Sequence, residues 1–148
     1  MIHASKIQLK RYFLSSFDYS VNPNFDPKKD MNLKFTDVSV DYDAQPLNQE
    51  TQREWQVNLK AGFSPSAESN APYSFSAKIV GLFSVSDKVD KEKISSFITA
   101  NATSVLYSTL REIVHTITAK GPYFPLLLPT VCFYEQKTVE PKAQQVTE

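Results

Sequence analysis

The chain has 148 residues, 41% of them hydrophobic and 22% charged, a balance that suits one globular domain with its own core. Sixteen basic and sixteen acidic side chains cancel, and no basic run is longer than Lys28-Lys29; this excludes nucleic acid as a main partner, because phosphate binding draws on a concentrated positive patch. There is no apolar run long enough to span a bilayer and no charged start followed by an apolar core, so the expectation is a cytoplasmic protein without membrane insertion.

The first half reads as strands. Ile7, Leu9, Phe13, Phe17, Tyr19 and Val21 share one parity, with Gln8, Lys10, Ser16, Asp18 and Ser20 on the other, the period of a half-buried strand. Arg11 and Ser15 break the apolar face, and Tyr12 and Leu14 the polar one. Asn22 to Asn32, with Pro23 and Pro27, is a turn-rich connection. A second strand is expected from Leu33 to Tyr42, with a bulge where the parity slips at Thr36-Asp37. Trp55, Val57, Leu59, Ala61 and Phe63 alternate with polar neighbours as a third strand, and Trp55 reads as core. After the turn cluster at 64–72, Tyr73, Phe75, Ala77, Ile79, Gly81, Phe83 and Val85 form a fourth, and the short connection predicts an antiparallel hairpin.

A long helix follows, capped by Asp87 or Asp90 and running to Lys120, with Gly121 as its stop and Pro122 just beyond. Ile94, Ile98, Ala102, Val105, Leu106, Leu110, Ile113, Val114 and Ile117 recur at threes and fours along it. Its many Ser, Thr and β-branched residues are weak helix formers, so packing must hold it. Four strands and one long helix make an α+β domain over residues 1–133. Such a two-layer monomer leaves the helix's far side open, which predicts an oligomer. Residues 134–148 are polar and are expected to be a disordered tail.

The catalytic inventory is thin. The three glycines are Gly62, Gly81 and Gly121, too scattered for a phosphate-cradling loop or a dinucleotide fingerprint. Cys132, the single cysteine, excludes an internal disulfide and a thiolate zinc cage, and no paired histidines appear. His115 sits mid-helix among Val114 and Ile117 and reads as structural; Cys132 reads as a small buried apolar side chain rather than a nucleophile. No metal, cofactor or enzymatic activity is expected.

The most informative stretch is Gly121-Pro122-Tyr123-Phe124-Pro125-Leu126-Leu127-Leu128-Pro129-Thr130-Val131-Cys132-Phe133. Its prolines exclude a regular helix or a central strand. A loop this apolar either closes over its own core or lines a groove for a partner, and composition does not separate the two.

Several of these motifs resemble the SecB family of ATP-independent chaperones. The likeness is strongest where Leu110-Arg111-Glu112-Ile113 leads to Gly121, then Phe124-Pro125, Leu126, Leu128, Pro129, Val131 and Phe133, similar to the family's helix end and proline-rich crossover loop. Gly81-Leu82-Phe83-Ser84-Val85 resembles the end of its fourth strand, and Ile7-Gln8-Leu9-Lys10-Arg11 part of its first. The resemblance implies a dimer of dimers that holds unfolded polypeptides, without nucleotide, in hydrophobic grooves. Carried onto this chain, a groove is lined by Phe13, Phe17, Tyr123, Phe124, Leu126, Leu127, Leu128, Val131 and Phe133. Export members dock the SecA motor through acidic first-strand side chains. The matching positions here are Ser16 and Ser20, with only Asp18 nearby, so motor docking is not carried over. SecB-like chaperones of toxin–antitoxin systems, whose client is an antitoxin's C-terminal segment, tolerate that departure. An oligomeric interaction protein with the same fold and no chaperone activity is the alternative.

Overall fold

A computed structural model describes residues 1–133. The expected tail at 134–148 lies outside the described residues. Four strands, β1 (Ile7–Val21), β2 (Val38–Pro46), β3 (Glu54–Phe63) and β4 (Tyr73–Val85), precede one helix, α1 (Ile94–Thr118). All neighbouring strands pair antiparallel, in the spatial order β1-β4-β3-β2, so the hairpin expected between the third and fourth strands is present.

Register determines which side chains meet the helix. Trp55, Val57, Leu59, Ala61 and Phe63 stand opposite Phe83, Gly81, Ile79, Ala77 and Phe75, and all of them are buried. This inner face packs on Ile94, Ile98, Ala102, Leu106, Leu110 and Val114 of α1, which are wholly buried. Gly81 permits close approach, since a Cβ added there would lie 2.9 Å from Leu106 Cδ1. Ser104, Thr109 and Thr118 turn their hydroxyls onto carbonyls one turn back, at 2.6, 2.9 and 2.7 Å, which satisfies the hydroxyls without strengthening the helix, so the buried apolar stripe holds it.

The broken parity of β1 resolves into two bulges, between Leu9 and Arg11 and between Leu14 and Ser16. Each inserts one residue and flips the alternation. Ile7, Leu9, Tyr12, Leu14, Phe17, Tyr19 and Val21 therefore share the inner face, opposite Val85, Phe83, Gly81, Ile79, Ala77, Phe75 and Tyr73. Phe13, opposite Val80, turns to the outer face.

The second strand is shifted from its expected place. Leu33 and Phe35 are not in it: Phe35–Asp37 is a 3-10 turn, and β2 runs from Val38 to Pro46 without a register shift. Helix α1 is shorter than expected, because Lys91–Lys93 forms a separate 3-10 turn and Lys93, with no capping side chain, precedes Ile94. Asp87 and Asp90 instead reach Arg53 and Lys93, at 3.8 and 3.6 Å. Gly121 is not a left-handed cap, since no glycine has positive φ. Its smallness is needed against Tyr73, whose ring atoms would lie within 2.8 Å of an added Cβ.

Candidate functional site

Proline removes donors, so the segment 121–133 makes no ladder of its own and its backbone must find partners elsewhere. The helix and β4 supply them. Tyr73 Oη accepts from the Tyr123 N–H at 2.9 Å and donates to the Tyr123 carbonyl at 3.1 Å. Thr118 Oγ1 accepts from the Leu126 N–H at 2.9 Å. Arg111 Nε donates to the Leu128 carbonyl, and Tyr107 Oη to that of Pro129, both at 2.8 Å. Thr118, Arg111 and Tyr107 fall on one helix face at spacings of about one and two turns. The segment thus runs back antiparallel along α1, fastened at each step.

Fastened this way, consecutive leucines alternate. Leu126 and Leu128 are 0% and 1% exposed, whereas Leu127 is 59% exposed and Phe124 48%. Tyr123 is half-buried against Phe25, whose ring lies at 4.6 Å, and Phe133 packs edge-on against Tyr107 and Tyr42 at 6.0 and 5.8 Å. Val131 is half-buried against the core, whereas Cys132, expected to be buried, is exposed, because it alternates with Val131 and Phe133, which turn inward. Burial raises the Tyr107 hydroxyl above its ordinary pKa, while the nearby Arg111 guanidinium opposes the rise.

A second connection faces this one. Residues 22–37 are held near their start: Asn70, at φ 45°, accepts from the Asp26 N–H and donates to the carbonyls of Asp26 and Lys29, at 3.0, 2.9 and 3.1 Å. Asparagine is one of the few residues that tolerates that backbone. Phe25 is buried beneath Tyr123 and Phe124. At its far end Phe35 is 66% exposed. Between the two connections lies a mainly apolar cleft of about 210 Å³, lined by Leu33, Lys34, Phe35, Val38, Phe63, Leu127, Leu128 and Pro129.

The structure thus brings some expected groove residues together and separates others. Leu127 and Leu128 line the cleft and Phe124 stands exposed on the same segment, while Leu126 serves wholly as core. Phe17 stacks on Phe75 at 6.2 Å and reaches Tyr123 only through Tyr19 and Tyr73. Phe13 faces the opposite side of the sheet, beneath the Arg11 guanidinium at 6.0 Å. The other wall, Leu33, Phe35, Val38 and Phe63, was not expected at a site. Leu33 and Phe35 flank Lys34 at strand period, which hid the exposed turn they occupy.

A larger and shallower groove of about 620 Å³ lies along the opposite flank, between Tyr12 of β1 and Val105, Ser108, Thr109, Glu112 and Ile113 of α1. Among the described residues no cluster of His, Cys, Asp and Glu is arranged to hold a metal, and no helix is long and apolar enough to cross a membrane.

The fold is thus a four-stranded antiparallel sheet backed by one long helix, with an apolar cleft rimmed by two connections. A model of the SecB family, preprotein translocase subunit SecB, matches residues 5–140. The chain belongs to the SecB family, whose members are chaperones. Among solved structures it is similar to a SecB-like chaperone of Mycobacterium tuberculosis in complex with a ChAD peptide from the HigA1 antitoxin, with TM-score 0.51 and 14% identity over 85% of this chain and 91% of that one. It is also similar to a Streptococcus agalactiae protein of unknown function, with TM-score 0.51 and 10% identity over 86% of this chain and 99% of that one. A search of curated proteins found no match.

Proposed function

We propose that this protein is a cytoplasmic, ATP-independent holdase that binds non-native polypeptide in the cleft between residues 33–38 and 127–129. The observation that carries this is the exposure of Phe35, Leu127 and Phe124 on backbones that are otherwise anchored. Large apolar side chains left in water beside a preformed apolar cavity favour an apolar occupant, each one buried contributing about 1.5 to 3 kcal/mol. Several shallow sites of this kind hold a chain without reading its sequence. Repeating them around a homotetramer, built as a dimer of dimers, raises the effective concentration of the second and later contacts. The open groove beside Tyr12 and Ile113 supports a subunit contact there; light scattering at micromolar concentration tests it, and a persistent monomer contradicts it.

The favoured client is the C-terminal segment of an antitoxin. Ser16 and Ser20 on the exposed face of β1, with Asp18 as the only acid between them, support a role apart from the export motor, and the relative solved with an antitoxin peptide supports the same reading. The export role is the second reading, favoured by the family's own description; an adjacent toxin and antitoxin in the genome decides between them.

The test is the double variant Phe35→Ser with Leu127→Ser. Both side chains are exposed, so stability changes by less than about 1 kcal/mol, while suppression of a model client's aggregation falls. Unchanged suppression by the folded variant removes the cleft from the function and favours an interaction protein without chaperone activity.

A further inference from the structure

The outer face of the sheet, turned away from α1, sorts its charges. Asp41 and Asp43 stand on the edge strand β2, both exposed. The two central strands carry lysines instead. Lys60 of β3 stands opposite Lys78 of β4, both exposed, and like charges placed directly across a strand pair are unfavourable. Asp41 faces Lys60 in the register, yet among the described residues neither lysine forms an ion pair. Asp43 is engaged otherwise, since its carboxylate accepts from Asn58 Nδ2 at 3.3 Å. On the other side of the pair Ser16 faces Lys78, and Ser15 donates its hydroxyl to the Lys78 carbonyl at 3.3 Å, so β1 brings no acid to this row. The two lysines border a hollow of about 330 Å³ that reaches from Ser15 and Val80 to Asp41 and Asp43.

The neighbouring rows are apolar and then cationic again. Outward residues recur every second position along a strand, so beyond Lys60 and Lys78 comes a row of Asn58, Val80 and Phe13, and beyond that one of Gln56, Leu82 and Arg11. Phe13 is 45% exposed, and the Arg11 guanidinium lies over its ring at 6.0 Å. No acid stands on β1, β3 or β4 in these three rows. A cationic pair, an apolar centre and a second cation thus follow one another over about 13 Å of strand.

We infer that this face docks a partner protein through an extended acidic segment in which two carboxylates flank a large apolar side chain at strand period. One carboxylate sits between Lys60 and Lys78, the apolar side chain covers Phe13 and Val80, and the second carboxylate meets Arg11. An anion between the lysines replaces a repulsion with two attractions, and arginine offers a carboxylate a fixed fork of donors. Covering Phe13 adds an apolar contribution that a free anion cannot supply, which is why the occupant is a peptide segment. The site lies on the side of the sheet away from the cleft and does not rest on the chaperone reading.

The experiment uses the full chain and three fluorescein-labelled heptapeptides read by anisotropy: Ser-Glu-Ser-Phe-Ser-Glu-Ser, the same peptide with lysine for glutamate, and the glutamate peptide with serine for phenylalanine. The glutamate peptide is expected to bind, to weaken as salt rises, and to weaken about tenfold or more in Lys60→Gln with Lys78→Gln. The lysine peptide and the peptide without phenylalanine bind more weakly. Because the double lysine variant relieves a like-charge contact, it melts no earlier than the parent. Phe35→Ser with Leu127→Ser leaves binding of the glutamate peptide unchanged. Absence of binding, equal binding of the lysine peptide, or full-strength binding by the double lysine variant overturns the inference. Full-strength binding of the peptide without phenylalanine reduces the site to a patch that attracts anions, and an earlier melting of the double lysine variant removes the like-charge premise; each overturns it as well. Loss of binding in Phe35→Ser with Leu127→Ser assigns the peptide to the cleft, which overturns the inference and leaves the chaperone reading standing.

Discussion

Two proline-bearing connections form the walls of the cleft, and they are anchored in different ways. The segment 121–133 is fastened along its length by Tyr73, Thr118, Arg111 and Tyr107, with Leu126 and Leu128 sunk into the core. The segment 22–37 is tied near its start by Asn70 and Phe25, further on by the Asn32 N–H donating to the Ser69 carbonyl at 2.9 Å, and at its end by Asp37, whose carboxylate accepts from Ser69 Oγ at 2.9 Å; it meets the cleft through the exposed turn between these ties. One wall is part of the folded core; the other is a surface structure leaning on it.

The largest expected effect comes from undercutting the fixed wall. Leu126→Ala removes a fully buried side chain and is expected to cost about 2 to 5 kcal/mol, read as a lowered midpoint in urea. A cost below about 1 kcal/mol would show that the segment is not part of the core. Gly121→Ala acts on the same wall by crowding. Its Cβ would fall 2.4 Å from Tyr73 Oη, so either the Tyr123 hydrogen bonds break or the helix end shifts, at about 1 to 3 kcal/mol.

On the surface wall the comparison turns round. Asn70→Ala removes three hydrogen bonds to residues 26–29 and puts alanine, which tolerates the left-handed region less well than asparagine, at φ 45°, at a cost of about 1 to 2 kcal/mol. Its effect on client holding should exceed that of Gly121→Ala when both variants are assayed below their melting temperatures. The reverse order would mean that the fixed wall governs binding and that the two connections differ only in stability.

How much of this was legible follows from particular residues. The alternation of β3 and β4 is strict because one face is buried under the helix along its whole length, and the sequence shows it directly. The parity breaks at Arg11 to Ser15 were visible, but two bulges five residues apart restore the same face, which period counting cannot distinguish from a strand contacted on both sides. Leu33 and Phe35 carry strand period without being strand, so the start of β2 was misplaced and the second wall went unseen. The anchoring of 121–133 was hidden for another reason. Tyr107, Arg111 and Thr118 look like ordinary helix residues until their separation of one to three turns is matched against the carbonyls and amide of a chain returning alongside, a long-range match that local pattern does not contain. The resemblance to a known family supplied the groove, and the structure separated Leu127 on its rim from Leu126 beneath it.

The smallest effect should appear only in alkali. Tyr107 donates to the Pro129 carbonyl from a buried position, and burial raises its pKa, with the Arg111 guanidinium pulling the other way. Because the folded state holds this proton more tightly than the unfolded state, the associated stability is fully present below the ordinary tyrosine value of about 10 and is lost as pH climbs from there through the raised value. Tyr107→Phe removes both the donor and the titration. The variant should be less stable than the parent at neutral pH, and the gap should narrow as the parent's Tyr107 ionises. A spectrophotometric titration of the folded parent should show a tyrosine ionisation above the ordinary value that is absent from the variant. A gap that stays constant from neutral pH into that range would mean that this hydroxyl does not fasten the segment to the helix, and the fixed wall would then rest on Thr118, Arg111 and the buried leucines alone.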